Sequence, residues 1–125
     1  MQTTAHERTA MHTELDALRA ASGDHDEVTL HTGLSYRPGH PVRIRVRKRG
    51  SRFDVTDGAT AVNLAGRPDG WLATAFDTAA QTGMNVNRRG VVFVTGFERR
   101  DLADLVVRLA ECSRLVYVAL LESAD

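Results

Sequence analysis

The chain has 125 residues, with 16 Lys plus Arg balanced by 16 Asp plus Glu and a formal net charge of zero. That length suits one domain that buries a core without cross-links, and 42% hydrophobic with 26% charged residues argues against wholesale disorder. The longest apolar run, Leu115 to Leu121, is far short of the roughly 20 residues a membrane helix needs, so no spanning segment is expected.

Met11, Leu15 and Leu18, spaced four and three apart, predict a helix over about residues 4–21 that stops at Gly23. Residues 1–22 are expected to cap the core or to form an interface, and residues 28–125 to form the core of a single α+β domain. Gly23 to Glu27 reads as a solvated turn, and Val28 to Thr32 as a short strand. Gly33 to Pro41 holds two Gly and two Pro and reads as irregular, with a turn at Pro38-Gly39. Val42 to Arg47 alternates strictly, with Val42, Ile44 and Val46 on one face and Arg43, Arg45 and Arg47 on the other.

Phe53 and Val55 form the returning strand. A two-residue turn is expected, because a three-residue loop in a regular ladder would split the apolar set between faces. A turn at Gly50-Ser51 pairs Val46 with Val55, and one at Arg49-Gly50 pairs Val46 with Phe53. Ala59 to Ala65 predicts a short helix ending at Gly66. Asp69 is expected to cap a helix over 70–82 that buries Leu72, Ala75, Phe76 and Ala79. Met84 to Val94 predicts a second hairpin turning at Arg88-Arg89-Gly90, with Val91 to Val94 covered on both faces. The last helix, from about Glu98 to Ser123, carries so wide an apolar surface that it must be central to the core or part of an interface. The expected architecture is a mainly antiparallel sheet of about five strands with helices packed on it.

The neutral total is unevenly distributed. Residues 1–36 carry two basic and six acidic side chains, and residues 53–89 and 90–125 are also slightly acidic. Residues 37–52 carry seven basic side chains (Arg37, Arg43, Arg45, Arg47, Lys48, Arg49 and Arg52) and no acid. A single-sign block creates a local field that selects partners. Arg43, Arg45 and Arg47 project about 7 Å apart from one side of a strand, close to the phosphate spacing of about 6–7 Å along a nucleic-acid strand. Arg88 and Arg89 extend the patch if both hairpin tips lie at one edge. The competing expectation is a solvated face whose arginines pair with Asp54, the acidic N-terminal segment or the last helix. Phe53 falls on the core side, so Tyr36 and Phe93 are the aromatic candidates near this face.

Other chemistry is weaker. His6, His12, His25, His31 and His40 lack metal-ligand spacing, and His25 among Asp24, Asp26 and Glu27 reads as a polar turn. Neither a metal nor another cofactor is expected. Cys112 is the only cysteine and lies on the apolar stripe of the last helix, which excludes an intrachain disulfide and suggests a reducing, cytoplasmic setting. The polar, acidic first thirty residues do not read as a secretory signal. Asp54 and Asp57 flank a strand end as a nuclease-like acid pair would, yet Asp57-Gly58 is also ordinary turn chemistry.

From about Pro41 onward the basic strand "VRIRVRKRGSRFDVTDG", the following helices, the hairpin "MNVNRRGVVFV" and the long last helix resemble an uncharacterised bacterial domain family. In that family the turn reads Thr-Asp-Asp-Gly; here it is Thr56-Asp57-Gly58. The resemblance implies a bacterial, intracellular protein and carries over no catalytic residue.

Two functions follow as expectations. The first is a non-catalytic, homodimeric binding module whose basic hairpin contacts a nucleic acid or an acidic protein through Arg43, Arg45, Arg47, Lys48, Arg49, Arg52, Arg88 and Arg89. The second is a hydrolase or nuclease working through Asp54 or Asp57.

Overall fold

The structure, a computed structural model, describes residues 27–123. The helix expected over residues 4–21 and the turn expected around His25 lie outside the described residues. The elements run β1 (Glu27–Arg37), β2 (His40–Arg49), β3 (Arg52–Thr56), α1 (Thr60–Ala65), α2 (Trp71–Gln81), β4 (Asn85–Val86), β5 (Val92–Phe97) and α3 (Arg99–Ser123). The five strands form one sheet in the order β1-β2-β3-β5-β4, and every neighbouring pair is antiparallel. With the helices packed against it, this is the expected α+β architecture. Among the described residues, no helix is long and apolar enough to cross a membrane.

Alternation decides the sheet's two faces. Val42, Ile44 and Val46 are fully buried, while Arg43, Arg45 and Arg47 between them are exposed. The β2–β3 turn takes the Gly50-Ser51 register, pairing Val46 with Val55 and Arg47 with Asp54. Gly50 has a φ of 62° and Ser51 is not left-handed, the pattern of a type II′ turn that matches the strand twist.

β1 is longer than expected. The register pairs His31 with Arg43 but Ser35 with Pro41, so β1 accommodates two extra residues between these pairs. Two is the strand period, so Leu34 and Tyr36 still face inward beside Leu30. Thr32, buried in the bulge, donates its hydroxyl to the Val42 carbonyl at 3.0 Å and accepts the Leu34 N–H at 3.4 Å. Those bonds satisfy backbone groups that the irregularity would otherwise strand, which is why a Gly- and Pro-containing stretch still forms strand.

α3 lies across the inner face of the sheet, with Leu102, Val106, Leu109, Cys112, Val116 and Leu120 fully buried. Its wide apolar surface is therefore central to the core. α2 packs on α3 through Ala75 and Ala79, one turn apart, whose small side chains let the helices approach closely. Phe76, expected in the core, lies about 100° round the helix from Ala75 and is 45% exposed. Asp69 does not cap α2. The N-cap is Gly70, which makes no side-chain cap bond, and the chain enters through a tight turn in which the Trp71 N–H donates to the Pro68 carbonyl at 2.9 Å. In β5 only Val92 and Val94 are buried; Val91 and Phe93 are half-buried, so the strand is not sealed on both faces.

Leu109 is fully buried at the centre of α3. Leu109→Ala is expected to lower the unfolding free energy by about 2–5 kcal/mol, read as a lower urea midpoint at unchanged slope.

Candidate functional site

Two groups of polar side chains lie on opposite faces of the sheet. Asp57, three residues beyond Asp54, falls on the other face by strand parity. The two carboxylates therefore do not form a pair.

The inner group is built on Asp57, which leaves β3 pointing into the core and is 2% exposed. Its Oδ1 accepts the Ala59 N–H at 2.8 Å and the Val92 N–H at 2.9 Å. Its Oδ2 accepts the Ser113 hydroxyl at 2.6 Å. The Ser113 oxygen lies 2.7 Å from the Tyr36 hydroxyl; with the serine proton committed to Asp57, Tyr36 donates. The Tyr36 ring also meets the Tyr117 ring edge-on, with centroids 5.5 Å apart. One carboxylate thus joins the end of β3, the entry to α1, the start of β5, the middle of α3 and, through Ser113, the far strand β1. The chain curls around it with Gly58 and Ala59 both left-handed, at φ of 68° and 67°. A Cβ at Gly58 would collide with the Arg45 guanidinium, which lies against it from the other side. Glycine in Thr56-Asp57-Gly58 thus meets a backbone requirement, and its bare surface leaves room for the Arg45 side chain.

Burial pushes the Asp57 carboxyl above the ordinary carboxylate range, against the pull of the Ser113 hydroxyl and the N–H groups of Val92, Ala59 and Ala61. Burial likewise raises Tyr36, against its Ser113 bond. It also raises the Cys112 thiol, opposed by a bond to Thr82 and reinforced by the Asp57 charge. Asp57 and Ser113 are buried, and their hydrogen bonds tie β3, α1, β5, α3 and β1 together, so this group clamps the fold. Sequence reasoning missed Tyr36 and Ser113 as its members. The available signal was a serine set within the apolar run of α3 between Leu109 and Val116.

The outer group is the arginine face. In register, Glu27, Thr29 and His31 of β1 stand opposite Arg47, Arg45 and Arg43 of β2. Among the described residues no element packs on this face, and neither Arg43 nor Arg45 belongs to an ion pair. The hairpin tip is different. Arg49 holds Asp54 through two contacts of 2.8 and 3.0 Å, and the Gly96 N–H adds a third bond to that carboxylate at 3.2 Å. Arg52 lies 3.4 Å from both Glu98 and the Gly96 carbonyl. Lys48 pairs with Phe53 in register, on the core side of the strand and half-buried. Arg88 and Arg89 turn at the opposite end of the sheet from Gly50-Ser51, because β5 starts beside Asp57 and ends beside Phe53. The two hairpin tips therefore lie at opposite ends of the sheet, and Arg88 and Arg89 stand at the end nearer Arg43, across β3 from it.

Beyond Arg43 the face runs into a cleft of about 280 Å³ lined by Gly39, His40, Pro41, Arg43, Thr60 and Leu64. Tyr36 faces inward, whereas Phe93 lies on the outer face opposite Thr56. Among the described residues no three His, Cys, Asp or Glu side chains gather as metal ligands. No protein-family model, curated protein or solved structure matches the chain.

Because the Asp57 carboxyl titrates higher folded than unfolded, its contribution to stability is greatest below the ordinary value of 3.8 and is lost as pH rises through the raised folded value. Asp57→Asn keeps one oxygen to accept the Ala59 and Val92 N–H groups and removes the charge. Urea unfolding across a pH series is expected to show the variant gaining on the wild type from pH 3.8 toward neutrality. A difference constant with pH would contradict the raised value.

Proposed function

We propose that this chain is a non-catalytic binding module that holds nucleic acid by its phosphates on the outer face of the sheet. The observation that carries the reading is the Arg43–Arg45 pair: two exposed guanidinium groups, in no ion pair among the described residues, on a face that no described element covers. Guanidinium forks suit phosphate oxygens, and strand spacing repeats them every ~7 Å. Binding of this kind is electrostatic, indifferent to sequence and weakened by salt. The arginines of the tip, by contrast, have acidic partners of their own in Asp54 and Glu98.

The hydrolase alternative has less support. Asp57 is almost wholly buried with both oxygens occupied, and Asp54 is held by Arg49 and the Gly96 N–H. The same reading takes the protein as cytoplasmic and homodimeric. The lone buried thiol fits a reducing compartment, and the exposed Phe76, Leu115 and Leu121 supply apolar surface for a second copy.

The test is anisotropy titration of a labelled oligonucleotide at stepped salt concentrations. Wild-type affinity is expected to fall linearly on logarithmic axes, and Arg43→Glu with Arg45→Glu to abolish retention or flatten the slope by about one per arginine. Arg108→Glu, a charge reversal at an exposed position of α3 behind the sheet, is expected to leave binding near wild type. Equal retention by wild type and the Arg43/Arg45 variant at low salt would end the nucleic-acid reading. Retention of polyglutamate with none of nucleic acid would transfer the face to an acidic protein.

A further inference from the structure

The outer face carries more than charge. The strand registers align Thr29 with Arg45, Arg45 with Thr56, Thr56 with Phe93, and Phe93 with Asn85. These five residues form one row that crosses the whole sheet on its outer side, one residue from each strand. Strands lie ~4.8 Å apart, so Arg45 and Phe93 are separated by about 10 Å at the backbone. The Arg45 guanidinium reaches from β2 to Gly58, just past the end of β3. Phe93 is half-buried, so part of its ring faces solvent, and among the described residues it is the only Phe, Tyr or Trp side chain on this face, which also carries the His31 imidazole on β1. Beside it Asn85 is exposed, and an amide offers both a donor and an acceptor.

We infer that this row is a nucleotide subsite for single-stranded nucleic acid, with Arg45 on a phosphate, a base stacked on Phe93, and the Asn85 amide at that base's edge. The inference rests on the nucleic-acid reading above and narrows it to single strands. A duplex keeps its bases stacked on one another and presents only phosphates to a flat sheet. An unpaired strand can turn a base onto an aromatic ring while its backbone follows a line of arginines. Stacking of this kind accepts any base, which agrees with a face that has one amide and no array of donors for a sequence code. Phe93 stands on the outer side of β5, between the core-facing Val92 and Val94, so replacing it opens no cavity in the core.

The experiment compares labelled single-stranded and duplex oligonucleotides of equal length on the full chain. Phe93→Ala and Phe93→Leu are expected to weaken single-strand binding by about 5- to 100-fold. Both should leave duplex binding within twofold of wild type, and Phe93→Tyr should restore the single-strand preference. Phe93→Leu keeps an apolar cover over the strand, so a loss there reports the missing ring. Single-strand affinity unchanged in Phe93→Leu, or an equal loss on single strand and duplex, would overturn the inference while leaving the Arg43–Arg45 reading intact. Wild-type chain that retains neither oligonucleotide at low salt would overturn both.

Discussion

The Asp57 carboxylate is the interaction on which the rest of the structure depends. A buried carboxylate is costly unless its lone pairs are filled, and here backbone N–H groups and the Ser113 hydroxyl fill them. Each donor belongs to a different part of the chain: the entry to α1, the first residue of β5, and the middle of α3. The long connection from β3 through both short helices to β5 therefore closes on one point. Through Ser113 the same point reaches Tyr36 on β1, the edge strand, by way of α3. Apolar burial would hold α3 against the sheet at many similar settings. The directional bonds to Asp57 select one of them, a role that buried polar groups can serve at some expense of stability.

The clamp also shapes the opposite face. To surround the carboxylate, the chain after Thr56 takes two left-handed residues, and the Cβ-free surface of Gly58 is where the Arg45 side chain rests. Because Asp57 points inward, Thr56 must point outward, and its register partners Arg45 and Phe93 follow it. The alignment of charge and ring in one row is therefore a consequence of strand parity. A slip of one residue in β3 would expose Asp57 and bury Thr56, losing the clamp and the row together.

Much of the sheet was legible because period-two alternation with β-branched residues is a local signal. Val42 to Arg47 shows it, and the need to keep Phe53 and Val55 on the apolar face limited the hairpin to two registers. β1 beyond Thr32 was not legible: Gly33 and Pro38 suggest irregularity, and what restores the strand is a two-residue bulge pinned by Thr32 to a carbonyl on the neighbouring strand. The α2 cap failed for a similar reason, since a turn closed by the Pro68 carbonyl left Asp69 without the capping role. At the site, the arginines could be assigned to a face from parity alone. Which of them were already engaged could not, because Arg49–Asp54 is a diagonal contact and Arg52–Glu98 joins β3 to the start of α3. Asp57 looked like turn chemistry because its donors are 2, 35 and 56 residues away.

The zero net charge can now be understood in spatial terms. Opposite charges cancel only where they come within a screening length, about 8 Å at physiological salt. At the hairpin tip they do, and Arg49 and Arg52 are spent on Asp54 and Glu98. The exposed acids Asp104 and Glu111 belong to α3, on the far side of the sheet from Arg43 and Arg45. The four acids of α3 are matched by four arginines on the same helix, so among the described residues neither charge set cancels the field of Arg43 and Arg45. A duplex and a single strand would both sense that field. Only an unpaired strand brings a free base to the ring beside it, so any selectivity of this face must come from Phe93 rather than from the arginines.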